Sequence, residues 1–198
     1  MVLPIVAYGH PVLRKKGQDI SPDHEGLKEL ISNMFETMYE ANGVGLAAPQ
    51  IGKSLRLFVI DASPFANDED AEDDERVTSD LKDFKKVFIN PQIVEEWGDE
   101  WAFEEGCLSI PEIRENVSRE DTIKLKWQDE NFKEHEQEFS GYAARVIQHE
   151  YDHIEGVLFT DKISPLRKNL IRNKLANISK GKIAPSYRMK FYTKPRRR

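Results

Sequence analysis

The segment His149-Glu150-Tyr151-Asp152-His153 constrains this chain more than any other stretch. It reads H-E-x-x-H, a spacing that gains chemical meaning on a helix. Four residues are slightly more than one α-helical turn, so both imidazoles project from one face. Two neutral imidazoles at that separation can hold one metal ion, and Glu150 lies close enough to handle a proton on bound water. A catalytic zinc-type site usually has three protein ligands and one open position, so the fold has to bring a third ligand to this face.

One candidate stands upstream, in E-G-C-L-S at 105–109. Cys107 is the only cysteine, which excludes an internal disulfide and makes the cytoplasm the expected location. Its small neighbours suit a tight approach, and a metal would stabilise its thiolate. Taken alone, Cys107 also reads as a small buried hydrophobe or as a reactive nucleophile. A third segment, G-V-G-L-A-A-P-Q-I-G at 43–52, has the glycines and alanines that let another backbone come close. Its spacing does not match a phosphate-binding loop. Gln50 within it is a neutral donor able to support a developing oxyanion.

The 198 residues, 39% of them hydrophobic, are expected to form one domain over 1–198 with a proper core. No apolar run approaches the roughly 20 residues of a membrane span. Residues 1–14 lack the charged-then-apolar layout of a secretory signal. The net charge of −6 is local in origin. Asp68, Glu69, Asp70, Glu72, Asp73, Asp74 and Glu75 carry it, and the rest of the chain is close to neutral. Such a run usually stays solvated, so the acidic insertion at about 62–83 is expected to be a surface excursion without a catalytic part.

Ser21-Pro22 looks like a helix start, and Leu27, Leu30, Ile31, Met34, Phe35 and Met38 then recur at helical spacing. Asn42-Gly43 ends that helix plausibly. Residues 55–61 read as a buried strand. Residues 87–94 read as another, with Pro91 marking an edge or bulge. At 122–127, Ile123, Leu125 and Trp127 share one face, and Asp129-Glu130-Asn131 turns the chain into 132–139 as a hairpin. Ser140-Gly141 opens the motif helix, and a third helix starts near Ser164-Pro165 and continues past Leu175. The expected fold is α+β: antiparallel strands around a central motif-bearing helix, with an N-terminal and a C-terminal helix. From about 164 onward the chain is basic.

Together the three segments resemble the peptide deformylase family. Its signatures G-x-G-x-A-A-x-Q, E-G-C-L-S and Q-H-E-x-D-H stand here in that order at 43–50, 105–109 and 148–153. The start, Tyr8-Gly9-His10-Pro11-Val12-Leu13-Arg14, is similar as well. The resemblance implies hydrolysis of the N-formyl group from the formylmethionine of new polypeptides, releasing formate. It implies one divalent metal on Cys107, His149 and His153, Fe(II) in the cell, with zinc, nickel or cobalt accepted. Glu150 would move the proton, and the Gln50 amide with the Leu108 N–H would stabilise the oxyanion. Gly43, Val44 and Gly45 would meet the substrate, the last two pairing with its main chain like an added strand. Val44, Tyr142, Val146 and His149 would line a methionine pocket with Arg114 at the rim. Ordinary core packing is the other reading of Tyr142 and Val146. Glu105 and Arg119 would prop the cysteine segment as an ion pair. The implied partners are formylmethionyl nascent peptides and, through the basic C-terminal segment, the ribosome. No membrane or DNA partner is expected.

Two rivals remain at this point. An H-E-x-x-H peptidase usually takes its third ligand downstream of the helix. Here Glu155 lies too close to His153, and Asp161 is a weak substitute. A metal-stabilised binding module would need a fourth protein ligand, yet His10, His24 and His135 stand in no ligand-like pattern.

Overall fold

The computed structural model describes residues 1–66, 76 and 79–193. A five-stranded antiparallel sheet runs in the order β2 (Gly45–Ala47), β3 (Leu57–Asp61), β4 (Lys85–Cys107), β5 (Ile110–Gln128) and β6 (Glu134–Ser140). A separate parallel pair joins β1 (Ile5–Val6) to β7 (Met189–Lys190). Four α-helices accompany the sheets among the described residues: α1 (Leu27–Glu40), the single-turn α2 (Ser63–Ala66), α3 (Gly141–Glu155) and α4 (Pro165–Ser179). The architecture is α+β with the motif on α3, as expected. No helix among the described residues is long and apolar enough to cross a membrane.

β3 reads Leu-Phe-Val-Ile because both of its faces are covered. Successive side chains alternate between faces. Leu57 and Val59 pack with the α1 stripe of Leu27, Leu30, Ile31, Met34 and Met38. Phe58 and Ile60 pack with Ala143, Ala144, Ile147 and Ile154 of α3. The alternation at Ile123, Leu125 and Trp127 turns those residues toward α3 too, and Phe139 of β6 joins them. α3 therefore lies across the sheet, held by apolar contact along its length. α4 adds Ile171 and Ile178 to a third cluster containing Ile110, Ile113 and Val117 of β5.

Three boundaries differ from expectation. α1 begins at Leu27, after Gly26 in a left-handed conformation, and not at Ser21-Pro22. That dipeptide instead makes a turn, with the His24 N–H donating to the Ser21 carbonyl. At the other end Asn42, at φ +53°, takes the left-handed position, and the Gly43 N–H returns to the Met38 carbonyl. β4 and β5 are far longer than the strands read at 87–94 and 122–127. Register shifts between Ile89 and Gln92, Ile93 and Glu95, and Trp97 and Glu100 break the period of two, which hides the strands from pattern reading. The first shift is the bulge that Pro91 announced.

Candidate active site

The β4–β5 hairpin brings its tip to the face of α3. Cys107 ends β4 and Ile110 pairs with it to begin β5. His149 and His153 project from α3 toward that tip. The Cys107 Sγ stands 3.2 Å from His153 Nε2. Ligand atoms of Cys107, His149 and His153 all lie within 4.8 Å of one another. A thiolate and two imidazoles at such separations fit one tetrahedral-type cation with a free position.

The outer side of His149 is already committed. Its Nδ1 lies 2.9 Å from Glu105 Oε2, which leaves Nε2 for the shared centre. Glu105 is the hub of a buried charge network. Arg119 donates to both of its oxygens, at 2.7 and 2.9 Å, and Arg145 adds a contact at 3.1 Å. Arg119 also reaches Asp152, between the two histidines in sequence, at 2.7 Å. Burial pushes the Glu105 carboxyl up, but the hydrogen bonds from Arg119 and His149 outweigh it and hold it well below its ordinary range. Glu105 and Arg119 thus form the ion pair read from the sequence. Arg145 and Asp152 are additions that the sequence reading missed. An arginine between Ala144 and Val146 on an otherwise buried helix face was the available signal.

Glu150 faces the same space. It is 4% exposed, and its Oε2 has no hydrogen-bond partner among the described residues. Burial raises its carboxyl to about 7, a value suited to proton exchange near neutrality. Gly45 makes room for it, since a Cβ there would sit 2.5 Å from Glu150 Oε1. The Gln50 carbonyl oxygen accepts from the Ala47 N–H at 2.8 Å, so its Nε2 points at Cys107 Sγ, 3.5 Å away. The amide is thus locked with its donor toward the centre.

Of these groups Gln50, Glu105, Cys107, Arg145, His149 and Glu150 line a cavity of about 890 Å³, while His153, Arg119 and Asp152 are not among its lining residues. Gly43, Val44, Gly45, Leu108, Arg114 and Val146 also line it. Tyr142 is not among the lining residues and packs in the core cluster, the other reading of its position. It stands one layer behind, stacked on Phe65 at 4.9 Å and edge-on to Phe103 at 5.4 Å. Phe65 and Phe103 take the wall position instead. Phe65 belongs to the insertion, whose acidic run at 68–75 lies outside the described residues. The flanks of that insertion do not stand clear of the site. Arg76 lies over the Trp101 ring at 4.2 Å, and its carbonyl accepts from the Tyr142 N–H. Gly141, at φ +55°, permits this approach, because a Cβ there would meet the Arg76 carbonyl at 2.4 Å. Phe65→Ala should raise KM for a substrate with an apolar side chain about tenfold while leaving metal content unchanged, by opening the apolar wall. Steady-state kinetics beside metal analysis would check this, and an unchanged KM would place Phe65 outside substrate contact.

The polypeptide deformylase family model matches residues 2–169. The peptide deformylase of Christiangramia forsetii is 61% identical over 191 residues, spanning 96% of this chain and 96% of that protein. Among solved structures, the peptide deformylase from Thermus thermophilus is similar with a TM-score of 0.76 at 39% identity, over 91% of this chain and 99% of its own. That from Legionella pneumophila gives 0.74 at 38% identity, over 92% and 98%.

Proposed function

Since this chain belongs to the peptide deformylase family, we propose that Cys107, His149 and His153 hold the divalent metal on which that family's hydrolysis depends, with Glu150 as the proton carrier. The reaction is removal of the formyl group from the formylmethionine that begins a new polypeptide, giving formate and a free α-amine. Three converging donor atoms, with a buried carboxylate oxygen left unpartnered beside them, carry the assignment. When bound, the metal supplies Lewis-acid activation of water and of the formyl oxygen. Fe(II) is the proposed occupant in the cell. The mixed thiolate and imidazole set also accepts zinc, nickel or cobalt.

The chain's own residues divide the remaining work. Glu150 accepts the proton of the attacking water and returns it to the departing amine nitrogen. The Gln50 Nε2 and the Leu108 N–H donate to the oxygen on which charge develops. Gln50 needs no reorganisation for this, because Ala47 already holds its other end. Val44, Phe103 and Val146 give the methionine thioether an apolar wall. Gly43, Val44 and Gly45 receive the substrate main chain along the free edge of β2, with Arg114 at the rim.

We also propose that the chain is a single catalytic domain over 1–198, that it works in the cytoplasm, and that its basic C-terminal segment from about 164 docks on the ribosome. The last point is supported by an exposed helix bearing Arg167, Lys168, Arg172 and Lys174, with no acidic residue after Asp161. Ribosome pelleting of full-length and tail-deleted protein separates docking from a plain solvated helix.

The direct test is formate release from a formyl-Met tripeptide by protein purified without oxygen. Protein loaded with Fe(II) or Ni(II) should turn over, and chelator-stripped protein should lose activity and regain it on reloading. Metal bound in full without formate release would sink the assignment.

A further inference from the structure

The matched family region ends at residue 169, yet the chain beyond it returns to the cavity. After α4, Gly181 turns at φ +67°, with the Phe191 ring 3.3 Å from where a Cβ would sit. The strap that follows is tied down by β7. The Ile5 N–H donates to the Arg188 carbonyl at 2.9 Å and the Ala7 N–H to the Lys190 carbonyl at 3.0 Å. Between Gly181 and this strand pairing, Ala184, Pro185, Ser186 and Tyr187 line the cavity. The Tyr187 hydroxyl donates to the Leu108 carbonyl at 2.7 Å. Both side chains pack against the α1 cluster.

The turn it touches needs outside support. Cys107 and Ile110 pair across a connection of two residues, Leu108 and Ser109. Such connections ordinarily take a positive φ at one or both central residues, in register with the strand twist. Neither Leu108 nor Ser109 has one. The turn is gripped instead from two sides, by Tyr187 on the Leu108 carbonyl and by the Tyr8 N–H on the Ser109 carbonyl at 2.8 Å. With the peptide after Leu108 pinned and Cys107 fixed in the sheet, the Leu108 N–H between them keeps one direction.

We infer that the strap at 181–193 is part of the active site, and that Tyr187 is a positioning residue aiming the Leu108 N–H at the developing oxyanion. This rests on the deformylation reading above and deepens it. It also predicts that the turnover of this chain depends on sequence outside the matched family region.

Tyr187→Phe keeps the ring and its packing and removes only the hydrogen bond. In metal-loaded protein, kcat for a formyl-Met tripeptide should fall about tenfold, with KM within about twofold, since a small misplacement of a transition-state donor acts on kcat. The absorption spectrum of the Co(II)-substituted variant, which reports the thiolate and imidazole ligands, should match wild type, as should the melting temperature. An unchanged kcat would overturn the inference. So would a loss of kcat accompanied by an altered Co(II) spectrum or lower metal content, because Tyr187 would then only support the fold. A wild type that released no formate would instead remove the deformylation reading itself, and the two failures are read from different lanes of one assay.

Discussion

Glu150→Gln is expected to bind metal like wild type and to lose about a thousandfold in turnover, the range in which general acid–base groups act. The substitution is nearly isosteric and adds a donor in place of a carboxylate oxygen. The site should accept it, because Glu150 Oε2 has no hydrogen-bond partner to lose among the described residues. The three atoms proposed as ligands are on other residues, so the metal should remain. What disappears is a buried carboxyl whose affinity for a proton is raised by its surroundings to about 7. An amide cannot take the proton from water or return it to the amine. Stopped-flow or steady-state formate assays beside elemental analysis decide this. Activity near wild type in a fully loaded variant would end the proton-carrier assignment.

Glu105→Gln should strike stability and metal binding together. Glu105 and Arg119 side chains are each 3% exposed, and Arg145 and His149 share the same carboxylate. Removing one partner of a buried pair leaves uncompensated charge and costs about 3 kcal/mol or more. For a domain of this size that lowers the melting temperature by about 10 °C. Arg119 retains Asp152, which limits the loss. His149 loses the acceptor that orients its ring, and outer partners of this kind typically change metal affinity by about 10- to 100-fold. Thermal melts of stripped and loaded protein, with competitive chelator titration, separate the two effects. A variant with unchanged melting temperature and affinity would show that Glu105 is a bystander.

Much of the site was legible in the chain because local geometry encodes it. The i, i+4 spacing of His149 and His153 has one consequence on a helix, whichever fold surrounds it. The α1 stripe from Leu27 to Met38 and the alternation at Ile123, Leu125 and Trp127 announced their buried faces in the same way. The outer halves of β4 and β5 did not. They carry Glu95, Glu96, Asp99, Glu100 and Glu104 in a solvated arm whose bulges interrupt the pattern. Tyr142 was placed in the wall by the family resemblance, with core packing as the other reading, and neither resemblance nor helical position gives a side chain's depth. Phe65 comes from another segment and stands in front of it.

The sequence by itself determined the helix that presents His149, Glu150 and His153 on one face, since that follows from residue type and short-range spacing, while Cys107 entered as third ligand through the resemblance of its segment to the family signature. The tertiary structure alone decided what those groups lean on. Arg145 reaches Glu105 across 40 residues of chain, and Asp152 joins the network through Arg119, 33 residues away. Phe65 reaches the cavity from the insertion, and Tyr187 reaches Leu108 from 79 residues away. Contacts at such separations depend on where the sheet and its clusters deliver each backbone, and no local pattern records that delivery.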